Sequence, residues 1–525
     1  MYFTLAVSAA SQERCAALTG RARNADPAVL PVPGPPEVAW QSPDGRAALL
    51  RWGAGAALAA GLPVASHAGT IWPGEPAPGS GRAAVHARTT ATRVDPVYVA
   101  EVPGAVIVSD RAMWAAWTAD RLDDHDPLLA CALLNPGFPL GAATPFRGVS
   151  AVAPSTTMQV LDGAARRTAD AGSRPASVVS GDPSSVAAAL VDAVEPLREA
   201  AQPVELSLTG GKDSRLVAAA LVKAGVQVRG QTHGFADHPD VVIAAQVARV
   251  LGIHHDVRVP AAPGQQVDVI GRIRATVLVA DGMLSAFENV GRPDPATAMP
   301  VTVGGHGGEL LRGGYAETAA GRRAAGLRAA ELLRRLTTRR LGLLRRGAAA
   351  GYVASLAPWT GALARNPLRA LDDFYLVNRA GRWSAAARQA YLIRERLIQP
   401  LFDERVVLAA RAVPLATRTS GELSRAVLAD LCPALADVPL AGKAPASFDW
   451  RRQYGTEIAT FLRDYTLDQG ASGGLFDVVN RAAAEKALTP PHDDRATVWA
   501  LATLACLRSG DYRHARNPAE LLPVA

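Results

Sequence analysis

Four cysteines in 525 residues, none of them arranged as CxxC, leave no basis for a zinc site or a disulfide framework, and they fit a reducing compartment. Lysine is scarcer than the charge suggests. Lys and Arg total 55, but the only lysines are Lys212, Lys223, Lys443 and Lys486. A lysine kept in such a background marks a place where a compact ammonium does what a guanidinium cannot. Aromatic residues are 5% of the chain and no nucleic-acid-binding module is legible, so the net charge of +7 points to small anionic ligands or to an arginine-rich surface rather than to nucleic acid. No apolar run is long enough to span a bilayer. The first residues, MYFTLAVSAASQERC, have no basic residue ahead of their short apolar run, so a strand is expected there rather than a signal peptide. With 49% hydrophobic and 20% charged residues, the expectation is a folded cytoplasmic enzyme of two domains.

The chain changes character along its length. To about residue 165 it has short β-like runs between Pro/Gly turns, with hairpin signals at Asp44-Gly45 and Pro103-Gly104. Residues 161–185 are small, polar and turn-rich, as a linker would be. From 186 onward helices and strands alternate: helix 186–200, strand 203–208, helix 215–224, strand 226–232, helix 240–251, strand 254–259. That alternation predicts a parallel, doubly wound sheet. Beyond 320 the pattern is mainly helical, and residues 321–346 carry nine arginines interspersed with leucines. They read as an amphipathic helix with a solvated basic face, or as a docking surface for a peptide. No internal repeat is visible.

The strongest chemical signal is VELSLTGGKDSRL at 204–216. A strand runs into Thr209, Gly210, Gly211, Lys212, Asp213 and Ser214, and a helix follows at once. Two glycines let backbone approach a ligand closely, and the free N–H groups at the helix start face anionic oxygens. Pyrophosphate suits such a nest. The spacing is not GxxxxGK[ST], which excludes a P-loop of the γ-phosphate-transferring kind.

The hexapeptide resembles the SGGxDS loop of ATP pyrophosphatases, which cleave ATP between its α and β phosphates. By that resemblance Ser207, Thr209, Gly210, Gly211, Lys212 and Ser214 hold the nucleotide, while Asp213 helps hold Mg²⁺. Residues 301–315, VTVGGHGGELLRGGY, are similar to the SGEGSDELFGGY loop of the asparagine synthetase family without a gap. The resemblance assigns Gly305 to the nucleotide and Glu309 to the metal; two carboxylates plus phosphate oxygens suit that hard ion. Glu309 read alone is equally an acid complementing a helix dipole. His306 falls where asparagine synthetases carry Glu and β-lactam synthetases Tyr, and an imidazole there could take the proton from an attacking ammonium. Its plainer reading is a loop histidine bonded to backbone. LCPALADVPLAGKAPASFDW at 431–450 resembles the segment holding the family's catalytic lysine, which puts that role on Lys443. Asp240 and Asp281 also fall at matching acidic positions.

Residues 96–114 and 144–160 are similar to parts of the family's glutamine amidotransferase domain. Its nucleophile is a cysteine directly after the initiator Met; here position 2 is Tyr2, and Cys15 is too far along. Glutamine hydrolysis is therefore expected to be lost. The implied architecture is an α+β Ntn-amidotransferase-like sheet domain (1–165, degenerate), a linker (166–185) and an α/β PP-loop synthetase domain (186–525), the last of the adenine nucleotide α-hydrolase type. Without glutaminase, the resemblance narrows to β-lactam and carbapenam synthetases and lasso peptide cyclases, and TGGKDSR with GHGGELLRGGY is most similar to the cyclases. The implied activity is ATP- and Mg²⁺-dependent adenylation of an Asp or Glu side chain in a precursor peptide, followed by macrolactam closure onto its N-terminal amine. A leader peptidase and a leader-binding protein are the implied partners. A small-substrate amide ligase and an inactive nucleotide-binding scaffold are the alternatives.

Overall fold

The computed structural model describes residues 3–24, 36–52, 70–76, 82–169, 181–200, 202–259, 268–288, 301–321, 324–394, 396–442, 456–490 and 494–515. Tyr2, Lys443 and the arginines at 322 and 323 lie outside the described residues.

The N-terminal part is two antiparallel sheets. The first has the order β2 (Glu37–Gln41), β3 (Ala47–Trp52), β1 (Phe3–Ala9), β7 (Ala105–Ser109), β6 (Tyr98–Val102), β8 (Val149–Ala151); the second has β10 (Ala164–Ala169), β9 (Thr156–Leu161), β5 (Ala83–Thr89), β4 (Thr70–Pro76). Period-2 alternation decides how they pack. Ala6 of β1 and Val106 and Val108 of β7 point toward the second sheet, where Val85, Met158 and Val160 meet them. Leu5, Val7 and Ile107 point the other way, into a core shared with the helices Ala112–Thr118 and Pro127–Leu134. Both hairpin signals are turns: β2 pairs with β3 across Asp44-Gly45, and β6 with β7 across Pro103-Gly104. The first residues do form a strand, β1. β10 runs to Ala169, into the stretch read as linker, and the next helix begins at Pro183, so only the part between them lacks a described element.

The second part is built on a parallel sheet ordered β13 (His254–Arg258), β12 (Val228–His233), β11 (Val204–Ser207), β14 (Val301–Val303), β15 (Arg396–Ile398). Chain order reverses between β11 and β14, so the crevice beyond their C-terminal ends is the topological switch point where such sheets bind ligands. Helices Pro183–Val194, Lys212–Lys223 and Pro239–Leu251 bury Leu190, Leu216 and Val247 against Leu206 and Leu208. Helix Val269–Val279, between β13 and β14, instead joins helix Arg495–Ser509 in the core that also holds the N-terminal helices.

The arginine-rich stretch is not one helix. A helix covers Ala325–Thr337, a 3₁₀ turn Leu341–Leu343, and a new helix starts at Arg346. The break lies where Arg340 turns inward to bond Asp494 (2.8 and 2.9 Å) and the Leu134 carbonyl (2.9 Å), while Arg334 pairs with Glu331. Among the described residues no helix is long and apolar enough to cross a membrane.

Candidate active site

Residues 209–214 follow β11 with no intervening turn, and Gly211 begins the helix Lys212–Lys223 in extended conformation without a side-chain cap. The first N–H groups of that helix are thus left for a ligand. The loop is braced from within: Ser214 Oγ accepts from Thr209 N (3.1 Å) and lies 3.1 Å from Thr209 Oγ1, which accepts from Gly211 N (3.2 Å). From outside, Asp240 Oδ1 accepts from Gly210 N at 3.1 Å. Arg215 donates to the carbonyls of Gly210, Gly211, Val438 and Pro439 at 2.8–3.2 Å, and Ala441 N donates to Gly210 O at 3.0 Å. Ser207, Thr209 and Lys212 are exposed at this end of β11, whereas Ser214 is buried.

The loop after β14 lies directly on this one. A Cβ on Gly305 would meet Ser214 N at 2.7 Å, and one on Gly308 would meet the Asp213 carboxylate at 2.1 Å. Only glycine permits so close an approach of the two loops. Asp213 is gripped by Arg312, whose Nη1 donates to Oδ1 and Nη2 to Oδ2 (3.3 Å); Arg312 Nε in turn reaches Glu317 at 3.2 Å. Burial raises the Asp213 pKa, Arg312 and Lys212 pull it back down, and nearby Glu309 pushes it up. The Glu309 carboxylate also accepts from Tyr375; burial and that carboxylate raise the Tyr375 pKa. His306 is exposed to solvent on one side. Crowding by the surrounding protein still lowers its pKa, helped by the charges of Arg379 and Arg388 and opposed by Glu309 and Asp213, so the ring is neutral at pH 7.

The two carboxylates therefore feel each other at one crevice, and no group of three or more His, Cys, Asp or Glu among the described residues forms a metal site by itself. Oxygen donors of this kind fit Mg²⁺ when phosphate oxygens complete its shell.

Residues 185–439 match the family model for asparagine synthase. The match takes in the loops at 209–214 and 304–315 and ends four residues before Lys443. It supports an asparagine-synthetase-like family, a PP-loop synthetase domain and an ATP-dependent ligase. No curated protein matches the chain.

Two acidic residues at family-like positions behave differently within this asparagine-synthase-like part. Asp240 sits at the loop. Asp281 is fully buried and takes Arg111 (2.6 Å) and Ala112 N (2.9 Å), tying the second part to the first. Arg215, Arg312 and Arg379 face or brace the crevice and were not singled out by sequence. In a chain with so many arginines, three more carry no signal.

Proposed function

We propose that the chain is an AMP-forming amide ligase, and specifically a lasso-type peptide cyclase. The observation that carries the reading is the fit of the two glycine loops at the sheet's switch point, with Asp213 and Glu309 facing one another there. ATP would lie with its phosphates against the N–H groups at the start of helix Lys212–Lys223, beside the hydroxyls of Ser207, Thr209 and Ser214 and the backbone of Gly210, Gly211 and Gly305. Asp213 and Glu309 would hold Mg²⁺, which when bound offsets phosphate charge. A carboxylate oxygen of the acyl substrate attacks the α-phosphorus, and pyrophosphate leaves. The amine then attacks the acyl carbon, AMP leaves, and the amide forms.

Neutral His306 would take the ammonium proton, and Lys443 would stabilise the oxyanion. Support for Lys443 comes from its neighbourhood in the chain: Ala441, two residues earlier, is bonded to Gly210. A peptide amine is favoured over glutamine-derived ammonia because Tyr2 stands where the glutaminase cysteine would, and three of the four cysteines are buried thiols. Cys15 is buried in a helix with its pKa pushed up to about 11, and burial pushes Cys131 and Cys506 up to about 12. Cys432 lies just past a helix end, away from β1.

Product analysis tests the reading. Incubation with ATP, Mg²⁺ and a synthetic core peptide should yield AMP, pyrophosphate and a peptide lighter by one water. ADP and phosphate would sink it, and a linear adenylated or amidated small molecule would sink the cyclase part alone.

A further inference from the structure

Beyond the helix 367–374 the chain enters a π-helix, Tyr375–Ser384, a form that recurs at functional sites. It is 10 residues long, and its first residue, Tyr375, interacts with Glu309. Tyr375 packs edge-on against Tyr315 at 5.1 Å, and Arg379 follows one turn later on the same face. The Arg379 guanidinium lies 3.4 Å from the Trp383 ring centroid and 5.8 Å from that of Phe138. It is half-buried, yet among the described residues it has no hydrogen bond and no ion pair.

That sets Arg379 apart from its neighbours. Arg312 holds Asp213, Arg411 and Arg418 share Asp372, and Arg388 holds Asp95. Among the described residues Arg379 has only aromatic faces, which fix the plane of the guanidinium and leave its N–H edge unengaged by them. Its charge reaches into the site, since it acts on His306, Tyr315 and Tyr375. A half-buried cation held flat without a carboxylate is placed to receive one. The phosphates have their own donors at the start of helix Lys212–Lys223, so the anion at this side of the crevice is on the acyl substrate.

We infer that Arg379, stacked on Trp383, is a specificity-determining residue that binds a carboxylate of the acyl substrate beside His306 and Glu309. The inference rests on reading the crevice as a carboxylate-activating site. It adds that the substrate is selected as an anion before ATP is cleaved. The bound group is either the carboxylate to be activated or a second one on the same molecule.

The test uses the full chain and binding, without turnover. N-acetyl-L-glutamate N-methylamide, with one side-chain carboxylate, is titrated by calorimetry into the wild type, Arg379→Gln and Arg379→Lys; its glutamine counterpart and inorganic phosphate are the controls. Loss of the charged fork should weaken carboxylate binding about tenfold or more in Arg379→Gln, with partial recovery in Arg379→Lys. The glutamine compound should bind weakly to all three, and ATP affinity should be unchanged. A second series with N-acetyl-L-glutamate, which adds a terminal carboxylate, distinguishes the sources. If only the two-carboxylate compound is sensitive to Arg379, the residue reads the non-reacting group. Equal binding of both carboxylate compounds by Arg379→Gln and the wild type, no binding of either to the wild type, or a parallel loss of ATP affinity would overturn the inference. Formation of ADP in the product assay would overturn the adenylation reading while leaving this binding result to stand or fall alone.

Discussion

The two sides of the crevice are built differently. On the nucleotide side two arginines are fully engaged with the loop and its surroundings: Arg215 donates to four carbonyls and Arg312 bridges Asp213 to Glu317. On the other side Arg379 lies on Trp383, and among the described residues its N–H groups have no partner. The first side is braced by its own hydrogen bonds and suits a ligand that never varies. The second has binding capacity in reserve, as a variable acyl substrate requires.

The largest effect should come from breaking the nucleotide side at its centre. Asp213→Ala removes a proposed metal ligand and leaves the buried Arg312 guanidinium with Glu317 as its one remaining carboxylate among the described residues. Both carboxylate-dependent ATP–pyrophosphate exchange and amide formation should fall below detection. Residual exchange near wild-type level would remove Asp213 from the metal site.

His306→Ala sharpens the comparison by separating the two half-reactions. Exchange should persist while amide formation slows by roughly 10²–10⁴. The pH dependence follows from the lowered His306 pKa. The ring is neutral above that value, so closure by the wild type should fall only as pH drops through a point below the ordinary histidine range near 6.5. In His306→Ala that acidic limb should vanish, and the loss should shrink at higher pH as free amine becomes abundant. If exchange is lost as completely as in Asp213→Ala, His306 supports the nucleotide loop and is no base.

The smallest effect belongs to Arg312→Lys, which keeps the charge but loses the fork. One charged hydrogen bond of about 1.5 kcal/mol corresponds to roughly tenfold in kcat/KM for ATP. The KM for the acyl substrate should not move. A change confined to that substrate would place Arg312 on the variable side after all.

Much of this was legible in sequence because it is local. The loop at 209–214 could be read because strand, glycines and helix start are contiguous, and the alternation after 186 fixed the parallel sheet because each element carries its own period. Gly305 was legible as part of a motif, but neither it nor Gly308 as the surface that meets Asp213 and Ser214, since that contact joins residues about ninety positions apart. The Arg379 stack was invisible for a similar reason: an arginine four residues before a tryptophan meets it in a helix, and a π-helix has no composition of its own. The basic stretch at 321–346 misled because helical periodicity continues through residues 338–345, while the inward pull of Asp494 on Arg340 comes from a distant part of the chain.

The π-helix is held in place from outside the family match. Arg93, itself buried, donates to the carbonyls of Val152 and Gly141 at 3.0 Å and of Val377 at 3.2 Å, and Asn378 Oδ1 accepts from Gly141 N at 2.9 Å. Arg382 reaches the Ala143 carbonyl, and the Thr92 carbonyl lies against Gly381, where a Cβ would come within 2.6 Å of it. Loops of the N-terminal part therefore act as a splint for a helix in the other half of the protein. This gives the first 165 residues a use that needs no glutamine chemistry. A fragment cut at the boundaries of the family match would keep the nucleotide loops but lose the brace that sets Arg379, and it would be expected to hold ATP while failing to choose its acyl partner.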